Sequence, residues 1–357
     1  MNNAATRQER VAEEPHVALL QEAKALREKE PQKARELAEE ALLRIGAQSE
    51  FEKDKAEAHF ILGMIYSRTG ELELGIQHAK IAQTLFDKHR IALADAQASN
   101  LIGFLEFKRA NFSDAIQSHQ ASFSAFERLN EKHGMASALN YLGNVYQTLG
   151  DYENALRRYE QSLSLRREIG DRRGVALVVG NIGTINFALA NYDVALANYR
   201  EMLQQKEQEG DKRGVASVLM NIGSVLFAVN DVEGTERHHQ KSLALFRELG
   251  DQYAVAMSLR NNGKFYERFH HYNKALEAHQ ESLAIRQDIG DKHGVAVSSN
   301  DIGIILVAQR RFVEALRYLK AALALALELG TKHTELECYL SLGRYFSEQS
   351  AHTKSQT

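Results

Sequence analysis

Three histidines and one cysteine are the side chains of this sequence best suited to metal binding or nucleophilic chemistry. His119, His239 and His279 stand at intervals that are multiples of 40 residues, and no cysteine or carboxylate joins them at the spacing of a zinc site. Recurrence at a fixed interval indicates a structural position. We therefore predict that these histidines pack between helices and that the chain has no metal site.

No catalytic motif occurs in the chain. The sequence lacks a Walker loop, a dinucleotide glycine fingerprint, HExxH, GxSxG and an EF-hand loop. Cys338 is the only cysteine, and no histidine accompanies it on a helical face, which favours a small buried residue over a nucleophile. The sequence thus predicts a protein that is not an enzyme, with no catalytic residue and no cofactor.

Composition excludes several other classes of protein. The formal net charge is -3, whereas a nucleic-acid-binding chain normally carries a basic excess. No run approaches the roughly 18 apolar residues of a membrane span, and the N-terminus lacks the apolar core of a secretory signal. We expect a cytoplasmic protein that binds neither nucleic acid nor membrane.

The helices that position these residues are clearest in residues 134–173. Apolar residues at helical spacing predict one amphipathic helix over about 135–148 and a second over about 152–169. Gly150 and Asp151 lie between them, where a glycine can end the first helix and an aspartate can cap the second. Neither helix can bury its apolar face alone, so the pair needs neighbours.

The neighbours are copies of the same unit. The glycine inside the first helix recurs without insertion or deletion, at Gly63, Gly103, Gly143, Gly183, Gly223, Gly263, Gly303 and Gly343. A period of this size is typical of a solenoid. Because glycine inside a helix costs about 1 kcal/mol relative to alanine, we predict that each one allows the partner helix to approach closely.

The repeated unit resembles the tetratricopeptide repeat (TPR), a pair of antiparallel helices. The matching residues are Leu139, Leu142, Gly143, Tyr146, Ala155, Tyr159 and Ser162. The 40-residue period is longer than usual and is similar to that of the Pins/LGN adaptors, the Rap-type regulators and the TPR regions of bacterial sensor kinases and cyclases. The resemblance implies an all-α fold, a right-handed TPR superhelical solenoid.

The same pattern predicts the organisation of the chain. Residues 1–14 are polar and expected to be disordered, and residues 15–52 form a degenerate repeat that caps the N-terminus. Seven TPR-like repeats follow over 53–332. A capping helix spans 333–349, and a flexible tail spans 350–357.

In a TPR array of this kind, the first helices line a concave groove, and this resemblance supplies the candidate binding residues. The positions facing the groove lie six and three residues before the repeated glycine and one, four and five after it. They hold amides that can clamp a peptide backbone, aromatic sockets, and cations for acidic groups. In that order they are Asn100, Asn140, Asn144 and Asn300; Phe104, Phe107, Phe187 and Phe227; and Arg260, Lys264 and Arg268.

Two alternatives remain open for these residues. The phenylalanines can instead turn into the core of each helix pair, and the asparagines can serve polar contacts between helices.

The functional prediction is a non-enzymatic scaffold that binds a peptide or partner segment, with acidic residues in the partner. Alternatives are the sensory or regulatory TPR module of a larger signalling system, such as a cyclase or kinase, and a Rap-like receptor for a signalling peptide. A homodimer through the C-terminal helix is a further expectation.

Overall fold

The computed structural model describes residues 14–356, and within them every long element is a helix. An N-terminal pair, α1 (Pro15–Leu26) and α2 (Pro31–Ile45), is followed by a 3-10 turn at Ser49–Phe51. The predicted disorder of residues 1–14 lies almost wholly outside the described residues.

Seven hairpins follow within the described chain. Their first helices are α3 (Glu52–Thr69), α5 (Ala92–Lys108), α7 (Lys132–Thr148), α9 (Arg172–Ala188), α11 (Lys212–Ala228), α13 (Gln252–Arg268) and α15 (Lys292–Ala308). Their second helices are α4 (Leu72–Lys88), α6 (Phe112–Arg128), α8 (Tyr152–Glu168), α10 (Tyr192–Gln208), α12 (Val232–Glu248), α14 (Tyr272–Asp288) and α16 (Phe312–Leu329). The last element is α17 (Lys332–Gln356).

Aspartates at repeated positions start many of these helices. Asp211 accepts a hydrogen bond from the Gly214 N–H at 2.8 Å, and Asp291 accepts one from the Gly294 N–H at 2.9 Å. Each carboxylate satisfies an N–H that has no partner inside its helix, which stabilises the helix start by about 1 kcal/mol. The preceding residues, Gly210 and Gly290, have positive φ angles of 66° and 71° and end the previous helix.

A buried serine ties the two helices of a hairpin together. The Ser162 hydroxyl donates to the Ala136 carbonyl at 2.7 Å, and Ser122, Ser242 and Ser282 make the same bond at 2.8 Å to the alanine that stands 26 residues earlier. These serines are fully buried, so the bond also satisfies a hydroxyl that water cannot reach.

The glycine inside the first helix permits close packing, as predicted. A Cβ on Gly143 would lie 2.5 Å from Cε1 of Tyr159, a distance that real side chains do not tolerate. The same position in the second helix holds His119, His239 and His279, whose rings lie against Gly103, Gly223 and Gly263. The prediction that the histidines are packing residues is therefore confirmed.

The chain divides into two compact units, residues 14–185 and residues 186–356 of the described part. In the first, the N-terminal pair packs on α3 through Leu20, Ala38 and Leu62. In the second, α15 and α16 pack together and on α17 around Ile302, Leu319 and Tyr345. Other neighbouring helices of each unit pack through further apolar clusters of the same kind.

The last helix, α17, continues beyond the predicted end at residue 349. It runs to Gln356, because residues 350–356 contain no glycine or proline that would stop a helix. No second helix covers α17 in the described chain. A Cβ on Gly343 would meet nothing within 4 Å, and Leu336, Tyr339, Leu340 and Phe346 are exposed.

Candidate functional site

The candidate site is a cavity of about 550 Å³ in the second unit. Successive first helices supply its walls, with Phe227 from α11, Lys264 and Arg268 from α13, Asn300 from α15 and Arg344 from α17. The 40-residue repeat produces this arrangement, since equivalent positions on neighbouring helices face the same way. Of the predicted binding residues, Phe227, Lys264, Arg268 and Asn300 are brought together here.

Three cations at the mouth of the cavity have no partner. Lys264, Arg268 and Arg344 are exposed, and within the described residues none of them has an ion pair or a side-chain hydrogen bond. We call these three residues the cavity rim. Their charges are available to an anionic group that enters from solvent.

Arg260 differs from its prediction as a groove cation. Its Nε lies 2.5 Å from Oδ2 of Asp301, whose side chain is 8% exposed. Arg260 therefore neutralises a buried acid of the protein itself, and it does not line the cavity. The sequence did not reveal this pair because the two residues are 41 positions apart and lie on different helices.

Asn300 is a polar cavity residue whose side-chain oxygen lacks a partner within the described residues. The residue is 5% exposed and lines the cavity, and its side-chain oxygen has no hydrogen-bond donor. In the equivalent hairpin, the Asn100 oxygen contacts Nδ1 of His119 at 2.7 Å. The position of His119 is held here by Leu319, which has no polar group, so the Asn300 oxygen is left without a donor from that position.

A buried amide oxygen without a donor is costly, and a ligand can remove that cost. The other predicted asparagines have partners inside the first unit. Asn140 accepts from the Asn181 amide at 3.1 Å, and Asn144 accepts from the Tyr159 hydroxyl at 2.7 Å. With Asn100, they follow the alternative in which asparagine serves contacts between helices.

Comparison with known proteins identifies the repeat. The tetratricopeptide repeat model matches residues 94–168, 134–208 and 214–288, and a second tetratricopeptide repeat model matches residues 295–333. The chain belongs to the tetratricopeptide repeat family. No curated protein sequence matches it.

Solved structures of low sequence identity share this TPR fold. The apo form of RapI is 16% identical with a TM-score of 0.63, over 77% of this chain and 99% of that one. The apo quorum sensor NprR from B. thuringiensis is 15% identical with a TM-score of 0.72, over 87% of each chain. NprR in complex with its cognate peptide NprX is 15% identical with a TM-score of 0.54, over 77% of this chain and 84% of that one.

The predicted aromatic sockets of the TPR array are half-buried and pack against other rings. Phe107 lies against Phe112 with ring centroids 6.1 Å apart, and Phe187 lies 6.0 Å from Tyr192. Phe104 lies 5.5 Å from Tyr141, and Phe227 lies 6.1 Å from Phe265. Only Phe227 of the four lines the cavity. Phe107 and Phe187 lie against the second helix of their own pair, whereas Phe104 lies against the first helix of the next pair.

Residues of α17 also line the cavity, although the sequence prediction omitted them. Glu337, Leu340 and Arg344 lie six and three residues before Gly343 and one after it. These are the positions that the TPR resemblance assigned to the groove in the other repeats. The same spacing rule identifies all three in α17, which the sequence predicts as a capping helix.

Glu267 is one of three acidic residues that line the cavity, with Asp301 and Glu337. It is half-buried and has no hydrogen bond or ion pair within the described residues. Burial, reinforced by the negative charge of Asp301, raises the pKa of Glu267. Lys264 and Arg344 oppose this effect from a distance without reaching the carboxylate.

Neither the histidines nor the cysteine suggests catalysis. Burial lowers the pKa of His279 to about 4, so its ring is neutral near pH 7. Cys338 is fully buried, and burial raises its pKa to about 11, which keeps the thiol protonated. Among residues 14–356, no three histidine, cysteine or acidic side chains group as metal ligands, and no helix is long and apolar enough to cross a membrane.

Proposed function

We propose that this TPR protein is a non-enzymatic scaffold that binds a peptide or an extended partner segment in the cavity of its second unit. One observation carries the proposal. The unpaired rim cations line the same cavity as Asn300, whose buried side-chain oxygen has no donor among residues 14–356. Neither the unpaired cations nor the buried acceptor without a donor stabilises the folded repeat array.

The chemistry of the cavity fits a peptide better than a purely apolar molecule. An asparagine amide both donates and accepts, as a peptide backbone does, so Asn300 can bond to a backbone N–H. Phe227, Ile304 and Ala308 add apolar surface for a side chain. The rim cations can hold an acidic side chain or a terminal carboxylate. In this proposal the predicted binding residues that do not line the cavity stabilise contacts between helices and do not touch the peptide.

The relatives support the choice of a peptide as the partner. A solved structure of NprR, which shares the fold, is a complex with its cognate peptide NprX. The Rap-like receptor is therefore a specific form of the proposal, in which the bound segment is a signalling peptide.

The experiment is a selection of random twelve-residue peptides displayed on phage against the intact chain. Selected peptides are resynthesised with a photoreactive phenylalanine analogue and cross-linked. We expect the cross-links on α11, α13, α15 and α17 around the cavity. Cross-links confined to the outer helices, such as α12 and α14, would overturn the proposed site. A failure to select any binder would count against a peptide-binding function.

The exposed face of α17 favours a second role for this protein, as a module that docks on another copy or on a signalling domain. Leu336, Tyr339 and Phe346 are 57%, 52% and 58% exposed. Their equivalents one repeat earlier, Ala296, Ser299 and Leu306, are buried. We propose a homodimer through this face, the simplest way to cover it.

A further inference from the structure

Acidic residues in the partner, as predicted from the sequence, would pair with the cations of the cavity but not with its acceptor groups. The rim cations are exposed, while the groups deeper in the cavity are acceptors: the Glu267 carboxylate and the Asn300 oxygen. We call Glu267 and Asn300 the cavity floor. Asp301, which also lines the cavity, is already neutralised by Arg260. Among residues 14–356, the Glu267 carboxylate and the Asn300 oxygen are therefore acceptors without a donor, and the rim cations are without an ion-pair partner.

A buried acceptor is satisfied by an N–H group, and a buried carboxylate is best satisfied by a cation that also donates hydrogen bonds. Water meets this need poorly for Glu267, since burial already disfavours its charged form. A guanidinium or ammonium group that reached the floor would supply both charge and donors. An acidic guest side chain at the same depth would instead meet the Glu267 carboxylate and the donor-free Asn300 oxygen.

We propose that the guest segment places a basic side chain on the cavity floor, at Glu267 and Asn300, and an acidic group against the rim. This inference rests on the proposed peptide-binding function and specifies the chemistry of the peptide. The guest is a segment in which an arginine or lysine stands close to an aspartate, a glutamate or the chain's own carboxyl terminus. The basic side chain of the guest then pairs with Glu267, and its acidic group pairs with the rim cations. The cavity therefore selects peptides in which the basic and acidic groups occur in the matching order.

The inference also predicts how binding depends on pH. A basic side chain binds the ionised form of Glu267, so affinity rises as pH increases through the pKa of that carboxyl group. The charged and titratable groups that line the cavity with Glu267 are Lys264, Arg268 and His270 on or next to its own helix, Asp301 from α15, and Glu337 and Arg344 from α17. Burial and Asp301 place the transition above the ordinary glutamate range.

The test compares matched peptides on matched variants of the intact chain by fluorescence anisotropy. Each cross-linked peptide is made with its basic residue as arginine or as citrulline, a neutral group of nearly the same shape. On the wild-type chain we expect citrulline to weaken binding about tenfold, the effect of losing one charge-assisted contact. On Glu267→Gln, arginine and citrulline peptides should bind equally. Glu277→Gln, an exposed acid of α14, is the control and should behave as wild type.

The outcomes separate this inference from the function on which it rests. Two results would overturn the basic-side-chain inference alone. One is a peptide that cross-links to the cavity but has no basic residue. The other is an equal loss of affinity, on the wild-type chain and on Glu267→Gln, when citrulline replaces arginine in the peptide. Peptides that bind without dependence on any cavity residue would overturn the proposed function. A binding profile that falls as pH rises from 4 to 7 would also contradict the inference.

Discussion

Buried histidines link the stability of this protein to pH at the scale of single residues. His119, His239 and His279 are almost fully buried, and burial lowers the pKa of each to about 4. The unfolded chain holds their protons at the ordinary pKa near 6.5. The folded state therefore binds fewer protons between these two values, and stability present above pH 6.5 is lost as pH falls toward 4.

We predict that the thermal midpoint falls steeply between pH 6.5 and 4, with each buried histidine contributing on the order of 3 kcal/mol over that range. His239→Tyr, which introduces the residue found at the equivalent Tyr159 and Tyr199, should make the dependence shallower. Thermal unfolding followed by circular dichroism at several pH values measures it. His333→Gln, on an exposed side chain, is the control, and equal slopes for both variants would refute this account.

Residue-level chemistry shows where sequence prediction succeeded and where it stopped. The approach of Tyr159 to Gly143 followed from spacing, because a repeated glycine inside a helix has few other uses. The difference between Asn100 and Asn300 did not follow from their shared position. It depends on the residue 19 positions later, which is His119 in one hairpin and Leu319 in the other. The pairing of Arg260 with Asp301 likewise needed the geometry of two helices.

At the scale of elements, α17 is the part of the structure that is least covered. Its exposed stripe occupies positions that are buried in α15, where Leu319 lies against Gly303. Gly343 has no such neighbour, so a helix of a second copy can approach it closely. An apolar stripe at helical spacing with a central glycine suits helix-to-helix packing.

We therefore predict a concentration-dependent dimer, measured by sedimentation velocity of the intact chain. Tyr339→Glu with Phe346→Glu should shift the chain to monomer, because the added charges cannot be buried in the interface. Leu43→Glu with Val313→Glu, two exposed apolar residues outside α17, is the control. A wild-type chain that stays monomeric at high micromolar concentration would show that α17 does not self-associate.

At the scale of the whole molecule, family membership defines the fold, and local chemistry defines the use of the fold. The net charge of -3 gives no hint of a cationic rim, because acids elsewhere offset it. The repeat itself explains why the cavity has mixed character: each first helix contributes the same positions, and their side chains differ from helix to helix. The binding character of the cavity can be recognised only when the side chains from three or more repeats are compared.

The central claim is that the rim cations hold a peptide, and the most direct measurement is the affinity of one selected peptide for two charge-reversed chains. Lys264→Glu with Arg268→Glu reverses two rim charges. Arg317→Glu with Lys320→Glu makes the same change on exposed positions of α16, outside the cavity. The account predicts at least a roughly tenfold loss of affinity for the first chain and little change for the second. Equal affinities for the two chains would contradict it.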